Sequence, residues 1–229
     1  ARTSKLNETV FKLEKEIKQR VVAEKAIVNS LKEKEVLLNE ITHRVKNNLQ
    51  IISSLINLQK VNVKSKESID VLDQTVNRIY SMALIHETLS HSDSIGEVKF
   101  GEYASSLVQY ITNALDTTGI TINTEIEDFN VSIDRATNCG MILMELITNS
   151  IKYAFEGRDN GIINVVISNE NGYKLIVSDN GIGISDDIDL IEPNTLGLQI
   201  VRGLAGQIDG GFNHIKGEGT TFELTCKPN

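Results

Sequence analysis

The chain has 229 residues, of which 40% are hydrophobic and 24% charged, so it can bury a core of ordinary size. Its net charge of −8 is uneven: residues 1–92 carry 15 Lys and Arg against 11 Asp and Glu, whereas residues 93–229 carry 8 against 20. An acidic chain without a basic stripe argues against nucleic-acid binding. The longest apolar stretch, near residues 140–147, contains Glu145 and is too short to cross a bilayer.

The cysteines and the first residues bear on the setting of the chain. Cys139 and Cys226 lack metal-ligand spacing, so we expect reduced thiols in a cytoplasmic segment. Because the sequence begins Ala1-Arg2 without Met, we expect a piece cut from a longer polypeptide. The sequence leaves open whether that polypeptide is anchored to a membrane.

The first part of the chain has the periodicity of long helices. Residues 6–56 contain no Pro or Gly, and their apolar residues recur at alternating steps of three and four, as in a coiled-coil seam. Val21 and Val28 indicate that the frame shifts by one residue locally, which relaxes the supercoil. After a polar break at residues 62–66, a second heptad-like helix covers residues 67–90.

This pattern predicts two regions. Residues 1–37 are expected to form a coiled-coil signalling helix, and residues 38–92 an antiparallel helical hairpin. A long helix cannot bury its apolar stripe alone, so we expect a second copy of the chain as its partner. Two hairpins would then form a four-helix bundle in a homodimer.

From residue 93 onward, helical and β-rich patterns alternate. Helices are predicted at residues 100–115 and 134–155, and all sixteen glycines lie beyond residue 95. The predicted strands cover residues 120–126, 162–168, 174–178, 211–216 and 220–226. We therefore predict, for residues 93–229, an α/β two-layer sandwich in which helices cover one face of a sheet.

His43 takes an outward position on the first predicted helix. With Leu38, Val45 and Ile52 at heptad position a and Ile41 at d, His43 falls at f, opposite the seam. An exposed imidazole on a rigid helix can act as a nucleophile near neutral pH. By itself, the helix pattern favours an ordinary surface histidine.

Three polar residues of the helix at 134–155 have the spacing of one helix face. Glu145, Asn149 and Lys152 stand four and three residues apart. A carboxylate, an amide oxygen and an ammonium group on one stripe can orient a proton or water, ligate Mg²⁺ and contact phosphate. By itself, the spacing favours the polar face of an amphipathic helix.

An aspartate and several glycines mark the connections that follow. Asp179 ends a predicted strand and precedes Gly181 and Gly183. The glycines allow the backbone to turn sharply, so that the carboxylate can accept a hydrogen bond from the amine of a nucleotide base. The same residues also fit a simple β-turn. Gly197 opens a helical run at residues 198–205, where backbone N–H groups favour phosphate. Gly219 lies in a tight strand connection.

Together these boxes, at residues 145–153, 179–183, 195–198 and 217–221, resemble the Bergerat-fold ATP-binding domain of gyrase, heat-shock chaperone ATPases and histidine kinases. The resemblance implies that Asn149 ligates Mg²⁺, that Lys152 contacts phosphate and that Asp179 binds adenine. The residues it assigns to the nucleotide site are Asn149, Lys152, Tyr153, Asp179, Gly181, Gly183, Gly197, Leu198, Gly219 and Thr220.

Residues 38–227 as a whole resemble the transmitter of a sensor histidine kinase. The segment His43-Arg-Val-Lys-Asn-Asn is similar to the phosphoacceptor box of the H-R-V-K-N-N subgroup, and residues 77–87 are similar to its second helix. The resemblance makes His43 the phosphoacceptor. ATP and Mg²⁺ are the implied cofactors, and an aspartate of a response-regulator receiver domain is the implied phosphate acceptor.

The sequence departs from commoner histidine kinases in two places. Arg44 follows the histidine where an acidic general base is usual, so the proton acceptor is either Glu145 or solvent, and the acidic neighbour usually credited with phosphatase activity is absent. The second glycine box begins with Thr195 instead of Gly, and residues 184–194 are interpreted as a short acidic ATP lid. A Bergerat-type ATPase without autophosphorylation, or a silent dimeric adaptor, are the alternatives.

Overall fold

The structure is a computed structural model that describes residues 2–89, 96–170, 172–184 and 195–227. The helices are α1 (Arg2–Lys60), α2 (Lys66–Leu89), α3 (Phe100–Ala114), α4 (Ile133–Asn149), which continues as a π-helical turn (Ser150–Ala154), and α5 (Leu196–Gln207). The strands are β1 (Glu97–Lys99), β2 (Ile120–Ile126), β3 (Asn130–Ser132), β4 (Gly161–Ser168), β5 (Tyr173–Asp179), β6 (Gly211–Ile215) and β7 (Thr220–Cys226). The lid predicted at residues 184–194 lies outside the described residues except for Ile184, and so does the boundary predicted at residue 92.

The described chain divides into two compact units, Ala1–Arg44 and Val45–Asn229. In the first unit, large apolar side chains of α1 are exposed, including Ile17, Leu31 and Ile41. Such a stripe needs a partner to leave water, which agrees with the coiled-coil pattern of the sequence. No helix of the described residues is both long and apolar enough to span a membrane.

The second unit begins with an antiparallel helical hairpin, as predicted. Lys46, about four turns before the end of α1, pairs with Glu87 near the end of α2 at 2.9 Å, whereas Lys60 at the end of α1 pairs with Asp73. The order of partners is reversed along the two helices, which defines their antiparallel direction. Ile52 and Leu55 of α1 remain 45% and 56% exposed.

The following domain is the predicted two-layer sandwich. Its five-stranded sheet has the order β2-β4-β5-β7-β6, in which β2 runs parallel to β4 and the other neighbours are antiparallel. Burial alternates along β4, where Ile163, Val165 and Ile167 point into the core. The helices that supply the rest of this core are α3, α4 and α5.

Two short strands and the end of α2 complete the domain. The sequence did not predict β1 and β3, three residues each, which pair antiparallel in a separate two-stranded sheet. Ile85 of α2 is fully buried in the domain core, and Tyr103 of α3 donates a hydrogen bond to the Ser81 carbonyl at 3.0 Å. Burial raises the pKa of Tyr103, so its hydroxyl remains a donor. The end of the hairpin is thus an integral part of the core.

Candidate nucleotide site

The Asp179 carboxylate is the centre of a buried hydrogen-bond network at the end of β5. Its Oδ1 accepts hydrogen bonds from the backbone N–H groups of Gly181 at 3.0 Å and Thr220 at 3.1 Å, and its Oδ2 accepts one from the Ser150 hydroxyl at 2.8 Å. Asp179 is only 5% exposed. These donors hold the carboxylate in one orientation. Ser150 lies within the predicted box at residues 145–153, and its place one residue after Asn149 was the only signal for a role in the site.

The glycine boxes at residues 179–183 and 217–221 meet beside this aspartate. Gly219 has a φ of +73°, and a Cβ there would lie 2.0 Å from the Asp179 carbonyl oxygen. At Gly183 a Cβ would lie 3.3 Å from the Gly219 carbonyl oxygen, and at Gly181 it would lie 2.3 Å from that of Ala154. The absence of side chains therefore allows three backbone segments to close around the aspartate.

Helix α4 and the second glycine box meet on the other side of the site. Glu145 and Asn149 are one α-helical turn apart, and Glu145 is 4% exposed. A Cβ at Gly197, near the start of α5, would lie 3.0 Å from Glu145 Oε2 and 3.7 Å from Asn149 Nδ2. A carboxylate, a side-chain amide and the first turn of a helix therefore face one another.

Glu145 has a partner that the sequence analysis missed. Arg78 of α2 donates from Nε to Glu145 Oε1 at 2.6 Å, and the two side chains are 12% and 5% exposed. Arg78 lies off the apolar stripe of its helix, a position typical of a solvent-facing residue. Its partner is 67 residues away in sequence. No local pattern could have indicated this pair.

Lys152 and Tyr153 lie in the π-helical turn that follows α4. A π-helical turn closes i→i+5 hydrogen bonds, so the α-helical spacing that predicted one common face for Glu145, Asn149 and Lys152 does not apply to Lys152. Both side chains line an open cleft of about 460 Å³ together with Asp116, Glu156 and Arg158. Tyr153 is 59% exposed.

The remaining predicted residues have different surroundings. The Leu198 side chain is buried in the core, so only its backbone is suited to face a ligand. His43 is exposed on α1 within the first unit. Its neighbour Arg44 pairs with Glu40 one turn earlier at 2.7 Å.

Two family models match the chain. Residues 40–115 match the model described as histidine kinase, and residues 134–229 match the model of histidine kinase-, DNA gyrase B- and HSP90-like ATPases. Sensor histidine kinase PdtaS of Mycolicibacterium smegmatis is 32% identical over 201 residues, which are 85% of this chain and 40% of that protein. Blue-light-activated histidine kinase 2 of Erythrobacter litoralis is 28% identical over 189 residues, 79% of this chain and 53% of that protein.

The chain thus spans about half, or less, of the length of these curated relatives. Among solved structures, the histidine kinase domain of the Erythrobacter litoralis EL346 blue-light-activated kinase is similar, with a TM-score of 0.64 and 25% sequence identity. That match covers 84% of this chain and 93% of the solved one. On its two matched segments and its fold, the chain belongs to the histidine kinases and carries an ATPase domain of the gyrase B and HSP90 kind.

Proposed function

We propose that this chain uses ATP to phosphorylate His43 and then passes the phosphoryl group to an aspartate of a response-regulator receiver domain. One observation carries the proposal: His43 is exposed on a helix within the segment that matches the histidine kinase family. In the reaction, an imidazole nitrogen of His43 attacks the γ-phosphorus in line, the bond to the β-phosphate oxygen breaks, and ADP leaves. Glu145 is the proposed acceptor of the imidazole proton, because Arg44 cannot serve as a base.

In the proposed nucleotide site, Asp179 accepts a hydrogen bond from the exocyclic amine of adenine. The network from Ser150, Gly181 and Thr220 supports this role because it fixes the carboxylate before the base arrives. The family resemblance supports Lys152 as a phosphate contact, and Tyr153 offers an exposed ring for contact with the nucleotide. The glycines let backbone approach the ligand closely.

Asn149, with Glu145 beside it, is the proposed Mg²⁺ ligand. A side-chain amide oxygen suits this ion, which uses few protein ligands and completes its shell with phosphate and water. Both side chains lie next to Gly197 at the start of α5. Bound Mg²⁺ would offset the negative charge that the phosphates carry.

The proposed partners follow from the helical regions. The exposed apolar side chains of α1, such as Ile41 and Ile52, support pairing with a second copy of the chain. We propose domain boundaries at residues 37 and 92, with the segment 1–37 transmitting a signal from an upstream sensor module. The receiver domain would dock on the helical hairpin.

Labelling with γ-³²P-ATP tests this function. We expect wild type to acquire acid-labile, base-stable label, His43→Gln to acquire none, and Asn149→Ala to label poorly because metal-nucleotide binding is lost. Circular dichroism and binding of a fluorescent ATP analogue show whether His43→Gln keeps its fold and nucleotide site. Label retained by His43→Gln would contradict the proposal, and so would release of free phosphate from wild type without labelled protein.

A further inference from the structure

The side chain of Arg78 belongs to the helical hairpin and yet contacts the nucleotide site. It extends from α2 to α4, where its Nε lies 2.6 Å from Glu145 Oε1. Both groups are almost completely buried. Removing one partner of a buried ion pair leaves an uncompensated charge, so the conformation of Glu145 depends on Arg78.

The two oxygens of Glu145 have different surroundings. Arg78 contacts Oε1, whereas Oε2 lies on the side of Gly197 and Asn149. Arg78 Nη2 is buried and has no hydrogen-bond partner in the described part of the chain, so the guanidinium does not bind the carboxylate in a bidentate way. The single contact thus fixes one oxygen and leaves the other directed toward the proposed metal and phosphate position.

The helix that carries Arg78 is firmly held against this domain. Tyr80 stacks on Tyr110 of α3 with ring centroids 3.4 Å apart, and the Tyr110 hydroxyl donates to Asn77 Oδ1 at 3.4 Å. One turn further on, Ile85 is fully buried in the domain core. Residues on both sides of Arg78 are therefore anchored, and the guanidinium is presented from a rigid support.

We infer that Arg78 is a positioning residue for phosphoryl transfer: from the hairpin it holds the Glu145 carboxylate in the orientation that the nucleotide site requires. The inference rests on the proposed function, because it assigns Glu145 a role in that reaction. It extends the active site to α2. Packing of the hairpin would then influence the chemistry directly through this one contact, without altering the residues around Asp179.

The test compares single-turnover rates at several ATP concentrations for wild type, Arg78→Met, Arg78→Lys, Glu145→Gln and the double variant Arg78→Met/Glu145→Gln. Misplacing a catalytic group by about 1 Å costs roughly a hundredfold in rate. We therefore expect Arg78→Met to slow transfer by about that factor, while the apparent KM for ATP changes less than about threefold. Arg78→Lys keeps a cation and should recover at least about tenfold.

The double variant separates positioning from general stability. If Arg78 acts through Glu145, the double variant should be no slower than Glu145→Gln alone. Tyr110→Phe is the matched control, because it removes another contact of α2 with the domain and leaves the ion pair intact; its rate should stay within about threefold of wild type.

Several results would overturn the inference: a wild-type rate for Arg78→Met, no recovery in Arg78→Lys, or additive losses in the double variant. If Arg78→Met does not fold, Arg78→Lys takes its place. Its effect on the rate is then measured with and without Glu145→Gln, which shows whether the two residues act together. Label retained in a parallel His43→Gln sample would contradict the proposed acceptor only. The Arg78 series would then be measured as the rate at which ATP loses its γ-phosphate.

Discussion

The Ser150 hydroxyl donates a 2.8 Å hydrogen bond to Asp179 Oδ2, and this buried contact joins the end of α4 to the end of β5. The same carboxylate accepts two backbone N–H groups through Oδ1. The aspartate is therefore oriented by three segments that lie far apart in sequence. The proposed adenine site depends on this arrangement.

Replacing Asp179 by Asn should weaken nucleotide binding. The amide is neutral and has one oxygen where the carboxylate has two, so the adenine amine loses the charged acceptor proposed for it. Hydrogen bonds to a charged group contribute about 1.5–3 kcal/mol each, which corresponds to roughly 10- to 100-fold in the dissociation constant of a fluorescent ATP analogue.

Asp209→Asn is the matched control for that measurement. Asp209 is exposed after α5 and has a φ of +51°, a conformation that Asn also adopts readily. The affinity of the Asp209→Asn variant for the ATP analogue should equal that of wild type. Equal affinities in all three proteins would remove Asp179 from the proposed site.

Gly219→Ala should destabilise the domain strongly, whereas Gly217→Ala should not. At Gly219 the φ of +73° is unfavourable for Ala, and the new Cβ would lie 2.0 Å from the Asp179 carbonyl oxygen. No atom lies within 4 Å of a Cβ at Gly217. We expect the free energy of unfolding to fall by about 2 kcal/mol or more for Gly219→Ala and to change by about 0.5 kcal/mol or less for Gly217→Ala.

Urea denaturation monitored by circular dichroism measures both changes. If the free energy of unfolding fell as much in Gly217→Ala as in Gly219→Ala, the backbone conformation and close approach at Gly219 would not be the cause of the destabilisation.

The exposed stripe on α1 predicts where a charge breaks the proposed dimer. Ile52→Glu places a carboxylate on the stripe, and burying it in a pairing interface costs several kcal/mol. The dimer dissociation constant should therefore rise by more than about a hundredfold. Gln50→Glu adds the same charge at an exposed position away from the seam and should leave the constant unchanged. Sedimentation equilibrium decides between these outcomes; a dimer of undiminished affinity in Ile52→Glu would exclude pairing through this stripe.

Two partly buried histidines predict a loss of stability in mild acid. Burial lowers the pKa of His86, and burial followed by the nearby Lys216 charge lowers that of His214. Above about pH 7.5 both rings are neutral in the folded and unfolded states, so they have no effect. As the pH falls below about 6.5, the unfolded chain binds protons first, and the free energy of unfolding decreases.

The double variant His86→Gln/His214→Gln should show a shallower decrease between about pH 7 and pH 5 than wild type does. Urea titrations at each pH measure this slope. A slope identical to that of wild type would mean that neither ring takes part.

Much of the fold could be predicted because its strands are β-rich runs in the sequence and many glycines lie between them. The strands predicted at residues 120–126 and 220–226 agree with β2 and β7 residue for residue. By contrast, β1 and β3 have three residues each, too few for an alternating pattern to stand out.

The site was less accessible to sequence reasoning where it depends on tertiary contacts. The apolar spacing over residues 134–155 fits a continuous α-helix, so it gave no indication of the π-helical turn at Ser150–Ala154. Arg78 could not be linked to the site from the sequence because its partner Glu145 comes from a distant helix. The boxes predicted which residue types bind nucleotide, but not which side chains hold them in place.

The central claim is that His43 receives the γ-phosphoryl group of ATP. The most direct measurement is mass spectrometry of the protein after incubation with Mg²⁺ and ATP, with fragmentation of the phosphorylated peptide under neutral or basic conditions. We predict a single added phosphoryl group located on the His43 imidazole and strongly reduced in Asn149→Ala. A phosphoryl group on any other residue, or an unmodified protein alongside consumed ATP, would contradict the claim.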